Sequence, residues 1–288
     1  MNIPLFFSVC LDGLVLGLIY ALAGIGLSLI FGLIGILNFA HANFIVIAVY
    51  AVIFLFGFIP NPIIATVGGL VILVVVTLVI YNTLITPVFK FGADAAMMNT
   101  FALSYFLEVT VLLLFGPYYR RAPAIIPDMT LTLPGGISYS FYRIAIALIS
   151  LAVLLTLFAF IRKSMFGKAL RAVMQDMIAA SLVGINLRRV MMWGFVIAIL
   201  LAGVAGVLIA PMYLVYPRFA DRLLPISFAV TIVGGLGNIE GALIAGLIIG
   251  LAESLGGVYI SSAYKDAIIF LTLVIVLLIR PRGILGRK

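Results

Sequence analysis

The chain has 288 residues, of which 66% are hydrophobic and 9% are charged, and its formal net charge is +8 at pH 7. Soluble domains carry about 25% charged residues, and a soluble fold has no means of shielding this much apolar surface from water. The composition therefore excludes a soluble protein and indicates a polytopic membrane protein, whose cations set its topology rather than bind nucleic acid.

The N-terminal part of the chain is free of positive charge, because the first 89 residues contain neither lysine nor arginine. A cleavable signal peptide begins with a basic region, so we expect an uncleaved N-terminus that faces the outside of the cell. Apolar sequence then runs from Leu14 to Ile59. Since one crossing needs about 20 residues, this block is expected to hold two crossings, or one crossing and a broken helix.

A polar interruption with Asn38, His41 and Asn43 divides that block. One interpretation is a turn between two crossings, in which the asparagines satisfy helix ends. The other is that these side chains line a transport route, because polar groups at membrane depth are tolerated when they are buried in protein or face a wet cavity. A single histidine without further ligands predicts no metal site.

Three further crossings are predicted at Pro62–Thr86, Met97–Gly116 and Phe141–Ile161. The most polar connector, residues 117–140, lies between the last two of them. Its four prolines, the Gly135–Gly136 pair and its aromatic residues predict an ordered external loop with short strands.

Residues 162–190 form a polar segment between two apolar blocks, which we call the basic segment. It carries six of the 17 cations and one acid, Asp176. The excess of cations predicts a cytoplasmic location. Apolar residues at helical spacing predict one short amphipathic helix, either resting on the bilayer surface or docking onto a cytoplasmic partner. These residues are Leu170, Val173, Met174, Met177 and Ile178.

The last third of the chain begins with a crossing at Met191–Pro211. The next apolar stretch, Leu223–Leu236, is too short to cross at about 1.5 Å per residue. It predicts a half-helix that re-enters the membrane or meets a second half at a glycine-rich break. That break contains Gly234, Gly235, Gly237 and Asn238.

Small residues then recur four positions apart, which predicts close helix packing within the chain or against a homologous partner. They are Gly237, Gly241 and Ala245, followed by Gly246 and Gly250. A final crossing at Ala267–Ile279 precedes a basic tail, whose cations Arg280, Arg282, Arg287 and Lys288 predict a cytoplasmic C-terminus. In total, residues 1–288 are expected to form a single all-α membrane domain with eight to nine membrane segments, some broken or re-entrant.

The chemistry of the chain argues against an enzyme. The only Gly-Lys pair, Gly167–Lys168, is followed by alanine, so a phosphate-binding loop is not expected. The single cysteine, Cys10, excludes a disulfide within the chain and a cysteine-based metal site. Glu108 and Glu253 are the carboxylates placed within crossings, either as packed groups or as the ionisable groups of an ion-coupled carrier.

Several motifs along the chain resemble permeases of ATP-binding-cassette importers for branched-chain amino acids, of the LivH type. The resemblance begins with GLIYALAGIGLSLIFGLIGILNFAHANFIVIAVY and continues through GKALRAVMQDMIAASLVGINLRRV and LAGVAGVLIAPMY. It extends through VGGLGNIEGALIAGLIIGLAES to the tail YKDAIIFLTLVIVLLIRPRGILG, and so covers nearly the whole chain.

This resemblance implies that the basic segment contains a coupling helix, which sits in a cleft of a cytoplasmic ATPase subunit. The residues that match this role are Gly167, Lys168, Leu170, Arg171, Val173, Met174, Gln175, Asp176, Met177, Ala180 and Gly184. The apolar ones would pack into the cleft or against the permease, Arg171, Gln175 and Asp176 would make polar contacts at the rim, and Gly184 would end the helix. Pathway or hinge roles fall on Asn38, His41, Asn43, Gly234, Gly235, Gly237 and Asn238.

The resemblance also implies partners and a location. We expect two cytoplasmic ATP-binding subunits, which hold ATP and magnesium, an extracytoplasmic solute-binding protein, and a second permease that is either a related LivM-type chain or a second copy. This chain is expected to carry no cofactor, to contact membrane lipid, to bind no nucleic acid, and to lie in a bacterial or archaeal cytoplasmic membrane.

Two alternatives stay open at this point. One is an importer of the same build for urea, amides or another amino acid. The other is an ion-coupled secondary carrier that works alone and depends on Glu108 or Glu253.

Overall fold

The computed structural model describes residues 3–133 and 137–286, which fold into a helical bundle with one small hairpin. The helices are α1 (Ile3–Ile34), α2 (His41–Phe58), α3 (Pro62–Ile80), α4 (Ala93–Phe115), α5 (Phe141–Lys163), α6 (Met165–Gln175), α7 (Met177–Leu182), α8 (Leu187–Ile209), α9 (Ala220–Gly234), α10 (Ile239–Tyr259) and α11 (Lys265–Ile279). The strands are β1 (Thr130–Leu133) and β2 (Ile137–Ser140), paired antiparallel.

Eight helical segments of the described chain are long and apolar enough to cross a membrane. The helix α9, at 15 residues, is not among them. The predicted all-α polytopic class is therefore confirmed, with eight crossings and one short helix where eight to nine segments were expected. The short strands predicted for the loop at 117–140 are also present. Parts of two predictions lie outside the described residues, namely Gly135–Gly136 in that loop and Arg287 and Lys288 in the tail.

The eight membrane-length helices and α9 run in alternate directions between two ends of the bundle, whereas α6 and α7 lie at one end. The hairpin end carries β1 and β2, and the basic end carries the basic segment. At the hairpin end, the Tyr139 hydroxyl of β2 donates to Asp12 of α1 (2.7 Å), and Arg143 of α5 pairs with the same carboxylate. Burial, and then this hydrogen bond, raise the pKa of Tyr139, so its hydroxyl stays a donor at physiological pH.

The core of the bundle forms around α1, which packs against α8, α9 and α10. A Cβ atom added to Gly250 would lie 2.3 Å from the main-chain nitrogen of Gly17, and one added to Gly246 would lie 2.7 Å from the Cα atom of Ala21. The backbones of α1 and α10 therefore touch at these positions. Of the two predicted roles for the small residues, Gly246 and Gly250 serve packing within the chain.

The peripheral helices expose long apolar faces. Only 6% of the apolar window that contains α11 is buried, and 22% of the window in α4, whereas 83% of the α1 window is buried. These exposed faces suit contact with lipid or with other membrane subunits, since hydrocarbon does not penalise them.

Candidate functional site

The basic segment begins with a helix that is fixed to three membrane helices. Ser164 caps α6 by accepting from the main-chain N–H of Gly167 (2.9 Å). Gly167 lies against the backbone of Ile161 in α5, where a Cβ atom would come within 2.3 Å of the carbonyl oxygen. On the inward face of α6, Leu170 lies against Gly194 of α8. Met174, one helical turn further along α6, lies against Gly32 of α1. The helix α6 is therefore in direct contact with α1, α5 and α8.

The prediction of one continuous amphipathic helix is wrong, because the helix breaks at Asp176. This residue is extended, with φ −155° and ψ 107°, and it caps a second helix, α7. Its Oδ1 accepts from the N–H groups of Ile178 and Ala179, both at 2.9 Å. A short acidic side chain at this position competes with the helix backbone for those N–H groups, which is the reason for the break.

Gly184 ends α7 as predicted, with φ +84°. Its N–H donates to Ser181 O (3.1 Å), and the next N–H, that of Ile185, donates to Ala180 O (3.1 Å). This pair of bonds is the Schellman arrangement, which favours glycine at the left-handed position. Ala180 is the one buried side chain of α7.

The break turns part of the predicted apolar stripe outward. Leu170 and Val173 are buried, at 1% and 3% exposure, but Met177 and Ile178 are exposed. These two and three other exposed apolar side chains of α6, α7 and the residue after α7 lie at the basic end, and we call this set the α6–α7 patch. It consists of Met165, Met177, Ile178, Leu182 and Val183. Leu182 and Val183 were not predicted to be part of this patch, since their direction depends on the break at Asp176.

The predicted polar residues of the segment have contacts of their own within the chain. The Arg171 guanidinium donates to Ile161 O, and the Asp176 carboxylate caps α7. Lys168 and Gln175 are exposed. Arg171 and Asp176 therefore shape the segment in addition to any contact that they make with a partner.

We predict that Asp176→Ala weakens α7 by about 1 kcal/mol, because it removes the cap of that helix. Asp176→Asn should retain most of the cap, since asparagine accepts the same bonds without the charge. Hydrogen exchange of the main-chain N–H groups of residues 178–183 measures the effect. If the alanine and asparagine variants exchange equally fast, the carboxylate acts through its charge and not as a cap.

A cavity of about 420 Å³ separates α6 from the start of α10 at the basic end. Arg162 at the end of α5 and Glu240 at the start of α10 form an ion pair across it (2.6 Å). Met174, Gly32 and Gly237 also line this cavity. The basic segment and the predicted hinge therefore face each other across this cavity.

The residues predicted as a hinge form a tight turn between α9 and α10. Gly235 and Gly237 have φ values of +102° and +77°, which favour glycine. A Cβ atom on Gly234 would lie 2.5 Å from the nitrogen of Ala242, so the two helices touch where they meet. Asn238 caps α10 by accepting from the Gly241 N–H (2.9 Å).

The C-terminal tail holds this turn in place, which the sequence did not predict. The N–H of Ile284 donates to Val233 O (2.7 Å), and that of Leu285 donates to Gly234 O (3.2 Å). The Asn238 side-chain amide donates to Leu285 O (2.7 Å). The tail is therefore hydrogen-bonded to residues on both sides of the turn.

The polar trio lies in a second interruption, between α1 and α2. The helix α2 begins at His41, whose Nε2 is 3.0 Å from the carbonyl oxygen of Ala23, near the middle of α1. The connection is therefore not a surface turn, because residues 35–40 run back into the bundle. Asn38 Oδ1 accepts from the Ala40 N–H (3.1 Å), whereas Asn43 lies inside α2 and caps no helix end.

Three buried polar atoms on or beside this interruption have no hydrogen-bond partner among the described residues. They are Asn38 Nδ2, His41 Nδ1 and Ser28 Oγ, and the three side chains are at most 1% exposed. A buried polar group without a partner costs about 1–3 kcal/mol. His41 lies apart from the predicted hinge, since its neighbour Ala23 and the hinge's neighbour Gly32 are nine residues, or about 13 Å, apart along α1.

Glu108 and Glu253, the two carboxylates considered for an ion-coupled carrier, both lie towards the hairpin end. Each of them contacts a polar side chain. Glu108 Oε1 lies 3.1 Å from Arg218 Nε. Glu253, at 1% exposure, accepts a hydrogen bond from the Tyr20 hydroxyl (2.6 Å). In the described part of the chain, no group of three or more histidine, cysteine or acidic side chains is placed to hold a metal ion.

Comparison with known proteins gives a consistent family match. The family model for the branched-chain amino acid transport system permease component matches residues 9–277. The high-affinity branched-chain amino acid transport system permease protein LivH of Escherichia coli (strain K12) is 34% identical over 98% of this chain and 96% of its own length. The corresponding BraD protein of Pseudomonas aeruginosa is 31% identical over 96% and 94%. Among solved structures, PsaBC from Streptococcus pneumoniae in complex with Fab aligns at 14% identity and a TM-score of 0.49, covering 98% of this chain and 91% of that one.

Proposed function

The chain belongs to the branched-chain amino acid transport system permease family, and from that premise we propose that it moves leucine, isoleucine and valine across the cytoplasmic membrane as the permease subunit of an ATP-binding-cassette importer. The observation that carries this proposal is the similarity to LivH and BraD over nearly the full length. The protein is a multi-pass inner-membrane protein, and its family works with ATPase and binding-protein partners. A second permease chain, either LivM-type or another copy, completes the proposed complex.

The charge distribution supports a cytoplasmic basic end. Of the described charged side chains, nine cations and three acids lie at the basic end, and six cations and six acids lie at the hairpin end. Cytoplasmic surfaces of membrane proteins carry the excess of lysine and arginine. The N-terminus of α1 and the hairpin are then external, and the C-terminal tail is internal.

The α6–α7 patch is the surface that we assign to the ATPase subunit. Its apolar side chains lie at the polar end of a membrane protein, where exposure to water is unfavourable and a protein partner would remove it. Behind the patch, α6 contacts α1, α5 and α8 through Met174, Gly167 and Leu170. Displacement of the segment by an ATPase would therefore move three membrane helices together.

Two contacts connect the basic segment to the α9–α10 turn and the start of α10. Met174 lies against Gly32, and Gly32 lies beside Gly237 of the α9–α10 turn. The Arg162–Glu240 ion pair joins the end of α5 to the start of α10 across the cavity. Alternating access then consists of rigid movement of α6 with α1, accompanied by rearrangement at the turn. We propose that the energy comes from ATP on the partner subunits. In support of this, the Gly167–Lys168 pair lies within the helix α6 and not in a loop that follows a strand.

Uptake of radiolabelled leucine tests the function. Proteoliposomes with the complete complex, ATP inside and binding protein outside should accumulate leucine, and those assembled without this chain should not. Urea and an aliphatic amide serve as alternative solutes. ATP-dependent leucine uptake that persists without this chain, or uptake without ATP, would contradict the proposal.

A further inference from the structure

A cavity of about 370 Å³ opens between α9 and α11 towards the hairpin end. Its volume lies at the small end of the range for ligand sites, about 300–1,000 Å³, and suits a molecule the size of an amino acid. The cavity is separate from the one beside the basic segment and from both interruptions described above. Tyr216, Asp221, Arg222, Pro225, Ile226, Asp266, Ile269 and Phe270 line it.

The lining combines three chemical features. Pro225, Ile226 and Ile269 with Phe270 form an apolar wall, whereas Arg222 provides a guanidinium. Asp221 and Asp266, each in the first turn of its helix, provide exposed carboxylates. The cation matches the carboxylate of an aliphatic amino acid, the two anions match its ammonium, and the apolar wall matches its side chain.

Two side chains, Tyr213 and Glu253, lie near the Arg222 guanidinium without forming a hydrogen-bonded ion pair with it. Its guanidinium carbon lies 4.6 Å from the centre of the Tyr213 ring. Its Nη2 lies 3.9 Å from Glu253 Oε1, which is longer than a hydrogen bond. Glu253 is 1% exposed, and this Oε1 has no hydrogen-bond partner among the described residues.

A loosely paired guanidinium of this kind is suited to a transient ligand. Guanidinium groups bind carboxylates through two parallel hydrogen bonds, which are stronger than neutral ones. Since no carboxylate among the described residues makes such a pair with Arg222, a carboxylate that enters the cavity does not have to displace one.

Resting on the function proposed above, we propose that this cavity is the external entry site of the permease for its substrate. The substrate carboxylate binds Arg222, its ammonium binds the carboxylates of Asp221 and Asp266 at the mouth, and its branched side chain lies against Ile226, Ile269 and Phe270. The site is a low-affinity one, which receives the amino acid from the binding protein before the α9–α10 turn rearranges.

Substrate protection of an engineered cysteine tests the site directly. Cys10 is the only cysteine of the chain, so Cys10→Ser gives a cysteine-free background. Phe270→Cys then places a thiol on the cavity wall, and Ala263→Cys places a control thiol on the exposed link before α11. The complete complex in proteoliposomes is treated with a positively charged methanethiosulfonate, with leucine added up to its solubility limit.

We expect leucine to slow modification at position 270 several-fold and to leave position 263 unchanged. Arg222→Gln should abolish this protection, whereas Arg121→Gln, an exposed cation of the hairpin end that is not in the cavity, should preserve it. Leucinamide, which lacks the carboxylate, should protect poorly. Headgroups of phosphatidylethanolamine or phosphatidylserine carry similar charges, so vesicles of phosphatidylglycerol alone are compared with mixed vesicles.

Several results would overturn the proposal. They are a thiol at position 270 that the reagent does not reach, protection that is equal at positions 270 and 263, protection by leucinamide equal to that by leucine, and protection by the mixed lipids without leucine. Leucine uptake by vesicles with the Cys10→Ser, Ala263→Cys protein, in which the cavity wall is intact, separates the two proposals. Normal ATP-dependent uptake without protection would reject this site and leave the transport function intact, whereas absent uptake would reject the function itself.

Discussion

The double variant Ile178→Asp and Leu182→Asp is expected to abolish leucine uptake by separating the permease from its ATPase subunits. Both side chains are exposed in the α6–α7 patch, at 75% and 82%. Burial of an apolar side chain of this size contributes about 1.5–3 kcal/mol, and burial of an unpaired carboxylate is unfavourable. The two changes together should therefore weaken the ATPase contact by about 100-fold or more, since each 1.4 kcal/mol is tenfold.

Co-purification of the ATPase subunits in mild detergent measures this effect. Phe91→Asp is the matched control, since it places the same charge on an exposed apolar residue (68%) at the same end but outside the patch. The control should retain the ATPase subunits, and both variants should reach the membrane in equal amounts. If the double variant keeps its ATPase subunits and its uptake, the partner does not bind at this patch.

Gly250→Leu should prevent the permease from folding stably, because it separates the two helices at the centre of the bundle. Even the Cβ atom would lie 2.3 Å from the nitrogen of Gly17 and 2.5 Å from the carbonyl oxygen of Gly13. These neighbours are backbone atoms, which cannot move aside as a flexible side chain does. Overpacking typically costs about 1–3 kcal/mol, and we expect a loss at or above the upper end of that range.

Size-exclusion chromatography after heating in detergent detects this loss as a fall in monodisperse protein. Gly57→Leu is the control, since no atom lies within 4 Å of an added Cβ there. The control should behave like the unmodified protein. Equal thermal stability of the two variants would show that α1 and α10 do not depend on this close contact.

Several features of the fold were predictable because they follow from composition and local pattern. The excess of apolar residues required membrane crossings, and the polar breaks marked where they end. The predicted crossing at Phe141–Ile161 corresponds to α5, which ends two residues later. The half-helix predicted at Leu223–Leu236 corresponds to α9. Gly184 ends α7 as its conformational freedom suggested.

The candidate sites were predicted less completely, since direction and depth depend on distant contacts. The stripe from Leu170 to Ile178 appeared to lie on one face until the Asp176 cap divided it. His41 contacts the middle of α1 although the sequence places it in a connector. The tail bonds to Val233 and Gly234, and the cavity around Arg222, join residues far apart in the chain.

The sequence by itself determined that this protein spans a membrane and which polar segment interrupts the crossings, because hydrophobicity and turn chemistry act over a few neighbouring residues. Only the tertiary structure decided which apolar side chains of that segment face outward, how deep the interrupted helices lie, and which charges meet around a cavity. Those properties arise when backbones such as those of Gly17 and Gly250 come into contact. Such contacts depend on the packing of the whole bundle, which no local pattern encodes.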